Sequence, residues 1–309
     1  MELFDLHCDT LCEALDNKYS LTKNSGAIDL DRATEYRPWV QTFAAWLSDD
    51  ADAITSRRRC EALLSLANAW EEQQFISIIR SAADLVAPCS RCAALLSVEN
   101  GGALDADEEY LCKLYRLGVR LITLTWNGDN HWGCGSFGSG GGLTDAGRRA
   151  LASMERIGMV TDVSHLNEVG FWQVASMATR PFVATHSASA AVYPHCRNLT
   201  DDQFCAVRDS GGVVGLCLYP EHLGGDDFSI IRRHLEHYIE LDGAQTVCFG
   251  ADFDGMTAPT QWNGIYVMKE MKQYLQDSGW SRELTDAVFY NNARDFFLRY
   301  WKQTIRNEE

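Results

Sequence analysis

No stretch of this 309-residue chain approaches the roughly 18–20 consecutive apolar residues that a membrane-spanning helix needs. The N-terminus, Met1-Glu2-Leu3-Phe4-Asp5, lacks a positively charged region and carries acids where a secretion signal is apolar. Positive charge is scarce, with 27 Lys and Arg against 43 Asp and Glu and a net charge of −16. Such a chain repels phosphate backbones, so nucleic acid is not an expected partner. The one basic run, Arg57-Arg58-Arg59, sits in a polar stretch that reads as a solvated helix face. Eleven cysteines, odd in number and scattered, make no disulfide framework and fit reduced thiols in a cytoplasmic protein. Internal repeats are absent.

What is present is ordinary globular composition, 46% hydrophobic and 23% charged. The length suffices for a full core and fits one α/β barrel with insertions. Short β-rich runs alternate with longer helical stretches throughout. The expected strands are Leu3–Leu6, Trp39–Trp46, Ala93–Val98, Arg120–Thr125, Met159–Val163, Phe182–Thr185, Val213–Leu218 and Val247–Gly250. Stretches such as Ala51–Gln74 and Thr144–Ile157 can hold the helices between them. Eight β/α units without a boundary predict a single (β/α)8 barrel over residues 1–309, in preference to a doubly wound open sheet. The Gly-rich segment 133–142 follows a strand and precedes a helix. It lacks the Lys-Ser/Thr of a phosphate loop, and Thr144 offers an N-cap, so it reads as a mobile active-site loop.

The informative pattern lies at the strand ends. The first strand runs into His7-Cys8-Asp9, whose alternate residues point one way and can chelate a single metal ion. The third ends in Glu99, a charge that is costly to bury unless paired or metal-bound. Asp162 and His165 end the fifth, His186 follows the sixth, and Asp252 follows the eighth. In a parallel barrel these ends gather on the face where barrel enzymes keep their active sites. Imidazoles and carboxylates in such number exceed what one tetrahedral zinc needs. They suit two divalent ions about 3.5–4 Å apart, zinc by ligand type, with manganese or cobalt as alternatives.

The succession His-x-Asp, Glu, His, His, Asp resembles the amidohydrolase superfamily. Longer strings resemble the membrane (renal-type) dipeptidases, peptidase family M19. They include Asp5-Leu6-His7-Cys8-Asp9-Thr10, Ser97-Val98-Glu99-Asn100-Gly101, Gly158–His165, Thr185-His186-Ser187-Ala188, Cys196–Asp202, Gly250–Gly255 and Asn292–Phe297. The resemblance covers nearly the whole chain. It implies His7 and Asp9 as ligands of one zinc, His165 and His186 as ligands of the other, and Glu99 as the bridge. It further implies Asp252 as acid/base, Arg197 as the partner of the substrate's C-terminal carboxylate, and Tyr219 as a substrate-site residue. The implied substrates are small dipeptides, including those with a D-residue at the C-terminal position, and the implied assembly is a homodimer. Another amidohydrolase activity, on N-acyl amino acids or related small amides, stays open.

One position departs from that family. Thr123-Leu124-Thr125 is followed by Trp126, where the renal-type enzymes carry a carbonyl-polarising His. Trp126 and, from the following loop, His131 are therefore the candidate substrate contacts at this point. Other features read as structural. Cys89-Ser90-Arg91-Cys92 has no second pair to make a zinc site, and His234 and His237 read as a solvent-facing pair on the helix Ile231–Leu241. His195 and His222 lie near substrate-side loops, and Asp254-Gly255 shapes a turn.

Overall fold

A computed structural model of the chain describes residues 1–305 apart from 88, 90, 258–261 and 263. Its eight strands form one sheet: β1 (Leu3–Asp5), β2 (Trp39–Trp46), β3 (Ile76–Ile78), β4 (Cys92–Glu99), β5 (Val119–Thr123), β6 (Val160–Asp162), β7 (Val214–Leu216) and β8 (Val247–Phe249). Every pairing is parallel, in the order β6-β5-β4-β2-β1-β8-β7, with β3 beside the first residues of β4. Parallel neighbours demand crossovers, which the helices supply. Their starts follow the sequence: Asp52, Asp107, Thr144 and Asn167 each accept a backbone N–H two or three residues into the helix. Thr200 and Gln203 complete a reciprocal capping box. The helices expected over Ala51–Gln74 and Thr144–Ile157 form over Ala53–Glu72 and Asp145–Ile157.

Seven of the eight expected strands are found. The exception, Phe182–Thr185, makes single parallel bridges from Val183 to Asp162 and from Ala184 to Val214, with no regular ladder. Side chains take over part of its pairing, since the Thr185 N–H donates to the Asp162 carboxylate (2.9 Å). The unexpected β3 has only three residues, with an exposed Ser77 between two buried isoleucines. Residues 306–309 and Ser90 of the lone Cys-x-x-Cys lie outside the described residues. No described helix is long and apolar enough to cross a membrane.

Two corrections concern the surface. His234 is buried, accepting from the Ser189 N–H at Nδ1 (3.1 Å) and donating from Nε2 to the Leu223 carbonyl (3.0 Å). Only its neighbour His237 keeps partial exposure, paired with Asp201 (2.8 Å). In the arginine run, Arg58 alone is a solvated residue. Arg57 donates to the carbonyls of Leu104 and Asp105, and Arg59 grips Asp16 with two nitrogens (2.9 and 2.8 Å).

One apolar cluster fixes the end of the sheet away from the polar strand ends. It takes Phe4, Val40, Leu95, Leu121, Val160 and Cys248 from six strands and is covered by Phe296, Phe297 and Tyr300 of the helix Asn292–Ile305. Phe4 and Phe297 stack at 5.5 Å between centroids. Truncating a buried Phe leaves a cavity and costs about 3–5 kcal/mol. Phe297→Ala is expected to lower the urea midpoint accordingly with the m-value unchanged. A loss below about 1 kcal/mol would show that this packing contributes little.

Candidate metal centre

Beyond Asp5 the first strand continues as an alternating ribbon between two neighbours. Leu6 N–H donates to Phe249 O, Cys8 N–H to Thr42 O, and Asp9 N–H to Phe253 O. His7 and Asp9 thus turn to one side, both buried. The Asp252 N–H donates to the His7 carbonyl (3.1 Å), which sets Asp252 beside them. His7 Nε2 lies 3.3 Å from Glu99 Oε2, 3.5 Å from Asp9 Oδ2 and 3.8 Å from Asp252 Oδ1. Neither ring nitrogen of His7, nor Asp9 Oδ1, has a hydrogen-bond partner among the described residues. Buried polar atoms are rarely left so, and of these His7 Nε2 is the one that faces the carboxylates of Glu99, Asp9 and Asp252.

His165 and His186 approach from the other side of Glu99. Their Nε2 atoms lie 2.8 Å apart, and 2.8 and 3.6 Å from Glu99 Oε1. Their tautomers follow from the far sides of the rings. His165 Nδ1 meets Asn127 Oδ1 (3.0 Å), an acceptor, and so carries the proton. His186 Nδ1 meets Thr185 Oγ1 (2.8 Å), whose own proton goes to Asp162 Oδ2 (2.6 Å), so this nitrogen is protonated too. Both Nε2 atoms are then bare lone pairs facing each other beside a carboxylate oxygen. That arrangement calls for a cation between them, and the outer hydrogen bonds are those that orient metal-ligating imidazoles. Asp162 is itself saturated by Thr123, Ser164 and Thr185.

Titration behaviour agrees. Burial lowers His165 to about 4 and drives His186 well below the usual imidazole range, so both rings are neutral at pH 7, the form that binds metal. Burial also works against charge on His7, but Glu99 and Asp9 outweigh it and hold the ring protonated. Glu99 is pushed up by burial and then pulled well below its ordinary value by His7 and the other two imidazoles. Burial raises Asp9 to about 7 and raises Asp252 as well. Carboxylates crowded this closely want positive charge nearby, which a divalent ion supplies better than one imidazolium. Two groups have metal-ligand spacing, His7-Glu99-His186 and His7-Asp9-Asp252. His165 and Asp252 both hold left-handed backbones (φ 67° and 63°), a conformation that non-glycine residues adopt infrequently.

A cavity of about 520 Å³ opens over this cluster. Arg197, Tyr219 and Trp126 line it, and so do His195 and His222. Arg197 is buried, donates one nitrogen to the His186 carbonyl (3.3 Å), and leaves Nε without a partner among the described residues. His131 is not brought in. Asn130 before it is tied inward to Leu124 O and Asn100, Trp132 after it is buried, and His131 faces outward beside Asp105 (3.9 Å). Asn127, three residues further from His131 than the loop's own anchor, is the residue that touches the centre, and no motif marks it. The Gly-rich segment does reach the cavity, through Phe137, but its backbone is tied down. Gly135 N–H donates to Gly128 O, Ser136 N–H to His165 O and Phe137 N–H to Asn127 O. A Cβ at Gly135 would stand 2.2 Å from Trp126 O, so only glycine lets these segments meet.

Imidazoles and carboxylates gathered beyond the ends of parallel strands, under a substrate-sized cavity, define a metal-dependent hydrolase. The membrane dipeptidase model (peptidase family M19) matches residues 1–309. An uncharacterised protein in the pqqA 5′ region of Klebsiella pneumoniae is 36% identical over 220 residues, covering 67% of this chain and 81% of its own. An uncharacterised Schizosaccharomyces pombe dipeptidase is 32% identical over 224 residues, covering 67% of this chain and 52% of its own, so the match spans about half of that relative. A Rhodobacter sphaeroides metallopeptidase, solved with a phosphinate mimic of L-Ala-D-Ala, superposes with a TM-score of 0.89 at 26% identity, covering 97% of this chain and 99% of its own. The chain belongs to the membrane dipeptidase family, M19, and is a metallo-dipeptidase.

Thr185 offers a direct check on the outer hydrogen bonds. Thr185→Val removes the acceptor of the His186 Nδ1 proton at nearly constant volume. Metal affinity, measured by competition with a chromogenic chelator, is expected to fall about 10- to 100-fold. An unchanged affinity would show that His186 does not depend on this bond.

Proposed function

We propose that the chain is one (β/α)8 barrel domain in which five residues hold two divalent ions. The bridges at Val183 and Ala184, spanning the gap between β6 and β7, support a closed barrel. The observation that carries the reading of the site is the convergence of unpartnered His7 and Asp9 atoms with the facing Nε2 atoms of His165 and His186 around Glu99. In it His7 and Asp9 would hold one ion and His165 and His186 the other, with Glu99 shared between them. Zinc is the default for such ligands, with manganese or cobalt able to substitute. Ions bound there supply Lewis acidity and lower the pKa of a water to near neutral.

The residues do the rest. Arg197 pairs with the substrate's C-terminal carboxylate and so sets the scissile bond over Glu99. Its burial and its unpartnered Nε suit a guanidinium that awaits an anion. Asp252, beside His7 at 3.8 Å and lining the cavity, takes the proton of the attacking water and delivers it to the leaving amine. Trp126 and Tyr219 form the walls. Dipeptides are the substrates this favours. An N-acyl amino acid carries the same carboxylate, so a panel of dipeptides, with L- and D-residues at the second position, against N-acyl amino acids separates the two activities. The eleven scattered cysteines, an odd number, favour a reducing compartment such as the cytoplasm.

Three outcomes test the reading. Elemental analysis of chelator-free protein is expected to give about two zinc (or equivalent) ions per chain, with activity lost to a chelator and restored by zinc. Active protein without metal would overturn it. Asp252→Asn is expected to keep the metals and lower kcat about 10²- to 10⁴-fold; near-normal turnover would place the proton elsewhere. Arg197→Ala should raise KM for a free dipeptide and cost about 30-fold to a few thousand-fold in kcat/KM, while a C-terminally amidated dipeptide, a poor substrate to begin with, loses far less. Equal losses on both would remove Arg197 from carboxylate binding.

A further inference from the structure

Four rings stand in an unbroken series along one wall of the cavity. Phe137 meets His195 edge-on (6.3 Å between centroids), His195 lies against His222 (4.7 Å), and His222 meets Tyr219 edge-on (4.8 Å). They arrive from three separate segments: the Gly-rich loop, the stretch after His186, and the turn that follows β7. Arg197 belongs to the same wall, its backbone N–H donating to His195 Nδ1 (3.2 Å).

Phe137 is the unusual member. It is 61% exposed, yet it sits on a backbone held at three points, by its own N–H on Asn127 O and by the N–H and Oγ of Ser136 on His165 O. A large apolar ring fixed over the mouth of a ligand cavity leaves apolar surface in water until something covers it. The two imidazoles do not make the wall charged. Burial, with Arg197 adding to it, keeps both His195 and His222 neutral at pH 7. The wall is therefore aromatic and uncharged around one buried guanidinium, with Glu221 the acid on its rim.

We propose that these four rings form the subsite for the side chain of the substrate's C-terminal residue and select apolar side chains there, aromatic ones above all. The inference rests on the reading of Arg197 as the carboxylate partner. The C-terminal side chain shares its α-carbon with that carboxylate and so must lie next to Arg197, where the rings stand. Aromatic side chains gain offset or edge-on contacts with such a wall. An acidic side chain loses hydration there and also meets the carboxylate of Glu221.

The test compares alanyl-phenylalanine, alanyl-glycine and alanyl-aspartate on the metal-loaded enzyme, its Phe137→Ala variant and its Phe137→Leu variant. The native enzyme is expected to favour alanyl-phenylalanine over alanyl-glycine by about 10-fold or more in kcat/KM, mostly through KM, with alanyl-aspartate poorest. Phe137→Ala should cut that preference at least about 5-fold, and Phe137→Leu should keep part of it, with metal content the same in all three. A preference untouched by Phe137→Ala, or a native preference for alanyl-aspartate, overturns the subsite. Failure of the native enzyme on every dipeptide is a different result, which removes the substrate reading and this inference together.

Discussion

Three imidazoles converge on one carboxylate, and the architecture follows from the need to bury Glu99 among them. A charge at the end of an apolar strand is expensive, and among the described residues no Lys or Arg makes an ion pair with it. Instead His7 arrives from β1, His165 from the segment after β6 and His186 from the irregular segment before β7, each contacting a Glu99 oxygen within 3.6 Å. Such a meeting requires strands far apart in sequence to end together on one face, which parallel pairing with helical crossovers provides. The polar network behind the rings, Asn127, Thr185 and Asp162, orients His165 and His186 and also joins the segment Phe182–Thr185 to β6.

This arrangement is held against local preferences. His165 and Asp252 keep left-handed backbones, and four side chains (His7, Asp9, Glu99 and Asp252) pack charged or chargeable atoms at short range. The opposite end of the sheet offsets the cost with ordinary means, namely aromatic rings of the helix Asn292–Ile305 against Phe4 and its neighbours. Function and stability are thus segregated to the two ends of the same strands.

The candidate site residues were legible because His, Asp or Glu at the end of a largely apolar strand has no inexpensive structural explanation. His7, Asp9, Glu99, His165, His186 and Asp252 all lie at or just beyond such ends, and all six come together. Legibility failed where the deciding partner was spatial. His234 hides behind Arg232 and Arg233, although Ile230, Ile231 and Tyr238, its i−4, i−3 and i+4 neighbours, share its buried face. His131 carries the right chemistry, but its neighbours Asn130 and Trp132 point inward and turn it out. Asn127 orients His165 from the loop after β5, and an Asn in a loop bears no mark of what it will accept from. The segment Phe182–Thr185 has the composition of a strand, yet the Asp162 carboxylate takes a backbone hydrogen that a ladder would use.

The pairing of β1 with β8 has a consequence for the order in which the molecule comes into being. Phe4 and His7 leave the ribosome well before their partners Phe297 and Asp252, which lie more than 240 residues further along the chain. Until then the nascent chain lacks a partner for one side of its first strand. It also lacks the helix that covers Phe4. A partly made chain consequently exposes an apolar strand edge of the kind that chaperones bind and that aggregates. The same delay keeps His7 and Asp252 apart until residue 252 has emerged, so the side chains of the candidate metal centre meet in a folded cavity and not along an open polypeptide.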